Sequence, residues 1–389
     1  MRADVVIVGG GIVGASCALE CTRAGLSVVV VERGAISTGT TGAGEGNILV
    51  SDKEPGPELD LALLSNDLWI QVAESLERDV QLERKGGLIV APTESVLTPL
   101  TAFAQTQAAA GITVEAVDSD ALLDHEPYLR PGLPGGMLYP QDMQVQPMLA
   151  TAAMLETARR LGARVLDHTE VTAVHRGRDG AVMGVGTSVG DIDAGHVVNA
   201  AGSWSGVVAG LAGSALPIRP RRGFILVTAP APLLVRRKVY NASYVADVAS
   251  GAEALQSSAV IEGTPSGTIL IGATREIVGF DGRLSLPALR RLASQAVGLF
   301  PALAGLHVIR TYHGFRPYTP DHLPIIGEDA LVPGLVHACG HEGAGIGLSS
   351  GTARLVADVV LDRASVIDRT PFSPARFAGV ALVRETVPA

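Results

Sequence analysis

The chain has 389 residues, 47% of them hydrophobic and 18% charged, with a formal net charge of −9. That is ample material for a large core and suits two domains; it excludes a disordered chain and argues against nucleic acid, since Arg219, Arg221 and Arg222 are too few to make a basic stripe. Cys17, Cys21 and Cys339 form neither a disulfide framework nor a closed metal site, so no metal is expected and a reducing compartment is suited.

The first thirty-two residues organise the rest. Val5-Val6-Ile7-Val8 reads as a buried parallel strand, the glycines that follow as a tight turn, residues 12–24 as a helix stopped by Gly25, and residues 26–31 as a second strand ending in Glu32. Gly9 permits the turn, Gly11 lets the backbone approach a pyrophosphate, and Gly14 lets the helix pack on the strand. The helix start, with Ile12 and Val13, offers free N–H groups to phosphates, and Glu32 can take both hydroxyls of a ribose. A strand–helix connection with no ligand is the alternative. The apolar N-terminus is broken by three glycines and does not read as a signal peptide, and no run reaches the roughly eighteen apolar residues of a membrane helix. A cytoplasmic protein with no membrane span is expected.

Residues 34–47, rich in Gly, Thr and Ala, form a loop that is costly to order unless something binds it. Helices are expected over 59–76, 99–110 and 147–161, a strand over 86–91, and a strand and helix over 112–117 and 118–123. Strands over 164–174 and 184–189 precede a buried one running into the small-residue turn at Ala201 and Gly202. From residue 218 the pattern changes to short alternating strands, 223–228, 258–262 and 268–272, that read as antiparallel sheet with a helix over 286–299. The segment from 335 to about 361 repeats the strand, glycine turn and helix of the start. No linker separates the lobes, so they interweave.

Four separated pieces then combine. They are the opening glycine turn with Glu32, Ala201-Gly202-Ser203-Trp204, Arg316-Pro317-Tyr318-Thr319-Pro320-Asp321, and Gly340-His341-Glu342-Gly343-Ala344-Gly345-Ile346-Gly347. With Gly272-Ala273-Thr274 and Leu323-Pro324-Ile325-Ile326-Gly327 between them, the chain resembles the glycine/D-amino-acid oxidase (DAO) family of FAD-dependent oxidoreductases over nearly its whole length. Within that family it most resembles the catalytic subunits of opine and D-hydroxyproline dehydrogenases and of hydrogen cyanide synthase.

The resemblance implies an α/β fold: a Rossmann-like, glutathione-reductase-type FAD-binding domain from residues 1–80, 145–215 and 312–370, interwoven with a mixed or antiparallel-sheet substrate domain from 81–144 and 216–311. It implies FAD with its pyrophosphate on the turn from Gly9 to Gly14, its adenosine ribose on Glu32 beside Arg33, and Val171 beside the adenine. Thr40, Thr41, Gly46 and Asn47 would lie along the cofactor, and Ala201, Gly202 and Trp204 would support it from the other side. Gly345, Ile346 and Gly347 would open a helix whose positive end faces the flavin and stabilises charge on the reduced ring. Attachment should be non-covalent, because no cysteine lies near Gly314 and Phe315.

Arg316 is the expected carboxylate-binding residue, its guanidinium fork gripping the substrate; a structural pairing with Asp321 or Glu328 is the alternative. His341 is the second candidate catalytic residue, although a histidine in such a loop is more often held by a backbone partner. His341, Glu342, Tyr244 and Glu276 are candidates for tuning the amine's proton. Gly343, where relatives can carry a second basic side chain, and the lack of an aromatic wall near Val260 suggest a substrate bulkier than glycine: a cyclic imino acid, a D-amino acid or an N-carboxyalkyl (opine-like) amino acid. The reaction implied is hydride transfer from the carbon beside an uncharged amine to flavin N5, giving an imine. Lys53, Lys85 and Lys238 lie outside the motifs, which favours a dehydrogenase over an oxidase. The partners implied are a small amino-acid or amine substrate and a possible homo- or hetero-oligomer, no nucleic acid. A flavin-binding electron-transfer or assembly subunit and a plain nicotinamide dehydrogenase are the other readings.

Overall fold

Uninterrupted Val and Ile runs need apolar cover on both faces, and the first sheet of the computed structural model, which describes residues 1–244 and 251–378, supplies it. β1 (Arg2–Val8) lies between β2 (Val28–Val31) and the strand Gly190–Asn199, parallel to both. The sheet runs in the order Ile325–Glu328, Leu335–Cys339, Gly190–Asn199, β1, β2, Arg164–Leu166. Val182–Thr187 folds back antiparallel on Gly190–Asn199, and Val171–Arg176 on it in turn. Side chains alternate along the strands. Val5, Ile7, Val28 and Val30 enter a core packed under three helices, α1 (Ile12–Arg23), Pro147–Arg160 and Gly345–Val360, while Val6, Val8, Val29 and Val31 enter a second core on the opposite face. Gly25, with φ +90°, turns the chain from α1 into β2 where a side chain would be strained.

The second sheet orders its strands Val308–Tyr318, Arg219–Thr228, Ile269–Arg275, Gln256–Gly263, Lys238–Asn241, Gly87–Ala91, Gly135–Tyr139, Glu115–Asp118. Its neighbours are antiparallel except for the parallel pair Lys238–Asn241 and Gly87–Ala91. Leu88, Val90, Phe224, Val239 and Ile261 enter an outer core to which the helix Leu286–Leu299 contributes. Their alternates Ile89, Ala91, Tyr240 and Val260 face inward and join the first core. A one-residue slip would exchange the two sets, so burial on both sides fixes the register.

Several elements differ from expectation. The helix expected from residue 99 begins at Glu94 and carries Pro99 inside, forfeiting the bond that Ser95's carbonyl would accept from an N–H there. The single strand expected over 164–174 is two, one pairing with β2 and the other turning away. The loop over 34–47 contains a 3-10 turn, Thr40–Ala43. Gly135–Tyr139, Lys238–Asn241 and Val308–Tyr318 were not foreseen. The last of these, eleven residues long, pairs with Arg219–Thr228, so a domain boundary at 311/312 falls inside a strand of the second sheet.

Candidate active site

A cavity of about 610 Å³ runs from the opening turn of the first sheet to the inner face of the second. At its first end Gly9 adopts φ +118°, and a Cβ there would stand 2.4 Å from the Ala200 carbonyl oxygen, so only glycine fits. Glu32 is held rigidly: its Oε2 accepts from Gly10 N–H at 2.8 Å and its Oε1 from Gly34 N–H at 2.9 Å. Both oxygens keep a lone pair for further donors. Thr41 Oγ1 accepts from Ile12 N–H at 3.0 Å, and the Thr40 and Ser203 hydroxyls both donate to the Phe315 carbonyl at 2.6 Å, tying the loop over 34–47 to the second sheet. Arg33 stacks over Trp204 at 4.2 Å, and Trp204 stacks on Phe280 at 5.0 Å.

Two helices, α1 and Gly345–Val360, begin at the cavity with no side-chain cap. Among the buried atoms of cavity-lining residues, Ser37 Oγ, Glu45 Oε1 and Asn47 Oδ1 have no protein hydrogen-bond partner. Orphan N–H groups at helix starts and unpartnered buried oxygens call for a long polar ligand.

Of the residues expected at the cofactor, all but three line this cavity. Gly14, Gly46 and Gly347 stand behind it. A Cβ on Gly14 would meet Gly9 O at 2.0 Å, one on Gly46 would meet Val145 O at 1.8 Å, and one on Gly347 would meet Asn47 O at 3.2 Å. They let the walls close; they do not face the ligand.

Arg316 stands at the other end, paired across the ladder with Arg221. Its Nη1 donates to the Thr274 carbonyl at 2.7 Å, and the rest of its fork is enclosed but open to the cavity. Neither structural partner considered for it is engaged: Asp321 binds Arg376 at 2.7 Å, and Glu328 accepts from Gly334 N–H at 2.8 Å. Gly223 and Gly343 flank the guanidinium, where their Cβ atoms would come within 2.2 Å of Nη1 and 3.4 Å of Nε. Burial, with the Arg275 charge next in effect, brings Arg316 down to about 10. The Arg275 guanidinium lies 4.6 Å over the Tyr244 ring, and its buried Nη1 has no hydrogen-bond partner.

His341 lines the cavity but is 4% exposed, and its Nε2 is hydrogen-bonded to Thr352 Oγ1 at 2.9 Å. Burial pushes it down to about 3, so the ring stays neutral near pH 7. Glu342 is shared between Arg221 at 3.4 Å and His322 at 2.9 Å. Glu276 pairs with Arg222 at 2.8 Å and is not part of the cavity wall. Tyr244 supplies the aromatic wall that the strand around Val260 lacks.

Sequence reasoning missed Glu45, Arg275 and Cys339. Glu45 lies in the loop assigned only to the cofactor, yet its side chain reaches the Arg316 end of the cavity. Arg275 follows the Gly272-Ala273-Thr274 stretch directly, the one signal that could have flagged it. Cys339 ends its strand on the cavity wall, where burial raises the thiol to about 12. Lys53 sits against Asp52 and Glu58, Lys85 against Glu83, and Lys238 against Glu262. Among the described residues no helix is long and apolar enough to cross a membrane, and no cluster could hold a metal.

The model of the family described as DAO, FAD dependent oxidoreductase, matches residues 4–359. Glycine oxidase of Geobacillus kaustophilus is 31% identical over 388 residues, spanning 97% of this chain and 98% of the relative; its crystal structure superposes with a TM-score of 0.87, covering 96% of this chain and 99% of that one. Hydrogen cyanide synthase subunit HcnC of Pseudomonas aeruginosa is 31% identical, over 96% of each chain. L-proline dehydrogenase from P. horikoshii has the same fold, with a TM-score of 0.88 at 24% identity over 98% of this chain and 99% of that one.

Proposed function

The chain belongs to the DAO family of FAD-dependent oxidoreductases and is an amine or amino-acid oxidoreductase that binds FAD, and from that premise we propose that it oxidises the C–N bond of an amine carrying a carboxylate. The substrates favoured are a D-amino acid, a cyclic imino acid or an opine-like N-carboxyalkyl amino acid, all bulkier than glycine.

The residues fit FAD. Glu32 suits a ribose, the uncapped start of α1 suits the pyrophosphate, and the start of Gly345–Val360 suits the flavin pyrimidine. Gly9, Gly11, Ile12, Val13, Thr40, Thr41, Asn47, Val171, Ala201, Gly202, Trp204, Gly345 and Ile346 are proposed to contact it, with Gly14, Gly46 and Gly347 packing behind them. When bound, FAD supplies a hydride acceptor at N5.

The chain's own part is placement and electrostatics. Arg316 grips the carboxylate through the part of its fork that Thr274 leaves free, and Tyr244 packs beside the substrate. Gly343 leaves room at the guanidinium for a substituent. His341, neutral and held by Thr352, positions the start of the closing helix and takes no proton. The observation that carries this reading is one enclosed arginine, whose hydrogen bond to the Thr274 carbonyl leaves part of its fork free, at the far end of a cavity that begins at the opening glycine turn.

Anaerobic titration of the purified holoprotein with a panel of amino and imino acids, read at the flavin absorbance, tests it. Bleaching by a bulky carboxylated amine is expected; a strong preference for glycine would overturn the substrate class. Rapid turnover with a dye acceptor and little peroxide under air is expected of a dehydrogenase. One finding favours a second reading, that this chain transfers electrons within a larger assembly: HcnC is named as a subunit. Failure of the whole panel to bleach the flavin would favour it.

A further inference from the structure

The mechanism above leaves one requirement unmet. Hydride leaves the carbon beside an amine only when the nitrogen carries a lone pair, yet an ordinary amino acid arrives at neutral pH with its nitrogen protonated. A group at the substrate end that takes that proton lets the abundant ammonium form react at neutral pH. His341 is committed to Thr352, and Glu342 to Arg221 and His322. Glu45 is committed to neither. It lines the cavity, is 6% exposed, and its Oε1 is buried with no hydrogen-bond partner.

Its place is built by the fold. Glu45 follows the 3-10 turn that Tyr312 anchors, whose hydroxyl donates to the Gly44 carbonyl at 3.2 Å, and precedes Gly46, whose N–H donates to Glu262 at 3.2 Å. The carboxyl group lies against Gly272, where a Cβ would come within 2.7 Å of it.

We propose that Glu45 accepts the proton from the substrate's ammonium group. The inference rests on the amine-oxidising function argued above. An N–H bond of the ammonium breaks and an O–H bond forms on Glu45. The electron pair left on nitrogen forms the C=N bond as hydride departs from the neighbouring carbon to FAD, and Glu45 returns its proton to water when product leaves.

The groups facing the carboxyl group come from five segments: Lys238, Tyr244, Glu262, Arg275, and Arg316 with Tyr312. Burial raises Glu45, Lys238 opposes the rise, Glu262 adds to it, and the two arginines oppose it, leaving the group titrating at about 7. A base poised there at neutral pH is matched to removing a proton and giving it back.

The test is anaerobic stopped-flow reduction of the flavin in the holoprotein across pH 6 to 10, wild type against Glu45→Gln, with an amino or imino acid that bleaches the wild type. Glu45→Gln keeps the volume and the flavin spectrum. Expected is an acid limb near 7 in the wild-type second-order reduction rate, moved in the variant toward the pKa of the free amine. The two rates then differ by about 100-fold at pH 7, each pH unit changing the neutral fraction roughly tenfold, and converge near pH 10. A variant slowed by one factor at every pH, or one with the wild-type profile, would overturn the inference and leave the function standing. A wild type bleached by nothing in the panel would overturn both.

Discussion

Replacing Arg316 with Met removes the charge while roughly keeping the length of the side chain, and its effect can be sized from the site. Burial beside Arg275 brings the guanidinium down to about 10 from its ordinary 12.5, which corresponds to a penalty on its charged form of order 3 kcal/mol at 1.36 kcal/mol per tenfold. Within the protein it gains one hydrogen bond, to the Thr274 carbonyl. A bound carboxylate would relieve the penalty and use the free part of the fork, so substrate affinity should draw about 2 to 4 kcal/mol from this residue, roughly 30- to 1,000-fold. Folding should draw nothing. Arg316→Met is therefore expected to raise the apparent Kd for substrate in anaerobic flavin reduction by that factor, to keep FAD bound, and to leave Tm unchanged or slightly raised, since Arg275 loses a like-charged neighbour. Unchanged substrate affinity with a lowered Tm would refute the reasoning and make Arg316 a structural residue.

Three further outcomes are expected. Gly14→Ala places a methyl 2.0 Å from the Gly9 carbonyl, so the opening turn must shift; FAD affinity measured by fluorescence should fall at least tenfold, and a fully flavinated variant would count against that close contact. His341 is pushed down to about 3 by burial, so below the ordinary 6.5 the unfolded chain binds a proton that the folded one refuses. Its contribution is intact above that value and declines as pH falls toward 3, by about 1.4 kcal/mol per pH unit; urea unfolding of His341→Gln at pH 4.5 and 7.5 should show a shallower acid loss than the wild type, and equal losses would refute it. Because the buried Cys339 thiol is raised to about 12 and Cys17 and Cys21 are buried too, acid precipitation should release intact FAD to the supernatant, and colour retained in the pellet would refute non-covalent binding.

The sequence was most legible where one physical demand sets the residue type. The run from Val5 to Gly14 and the helix Leu286–Leu299 follow from burial periodicity and from glycine at a close approach, while the fold class follows from the family resemblance. Arg316 could be singled out because the family resemblance places an arginine there and a guanidinium fork suits a carboxylate. Less legible was anything settled by tertiary register. Glycine reports a steric need without saying what meets it: Gly46 and Gly347 look like ligand contacts, but they accommodate Val145 and the Asn47–Ile48 strand. The strand Val308–Tyr318 is hidden because six of its residues are partly exposed and mix His, Arg and Gly, so no two-residue alternation marks it. Glu45 and Arg275 read as ordinary polar residues, since only the fold brings a loop of the first lobe against an inner strand of the second.

That last contact explains why the inner face of the second sheet is so poor in side chains. Glycine inside a strand weakens it by roughly 0.5 to 1 kcal/mol, and such residues are normally avoided, yet three stand here on adjoining strands. A Cβ on Gly223 would collide with the Arg316 guanidinium, one on Gly272 with the Glu45 carboxyl group, and one on Gly314 with Ala43, at 2.2, 2.7 and 2.6 Å. Each absence makes space for one component of this end of the cavity: the arginine, the acid, or the turn that carries the acid. Larger residues would strengthen the sheet and exclude that component. The glycines of the opening turn and those of the second sheet thus follow one rule applied to different neighbours, the Ala200 and Gly9 carbonyls in the first case and Arg316, Glu45 and Ala43 in the second.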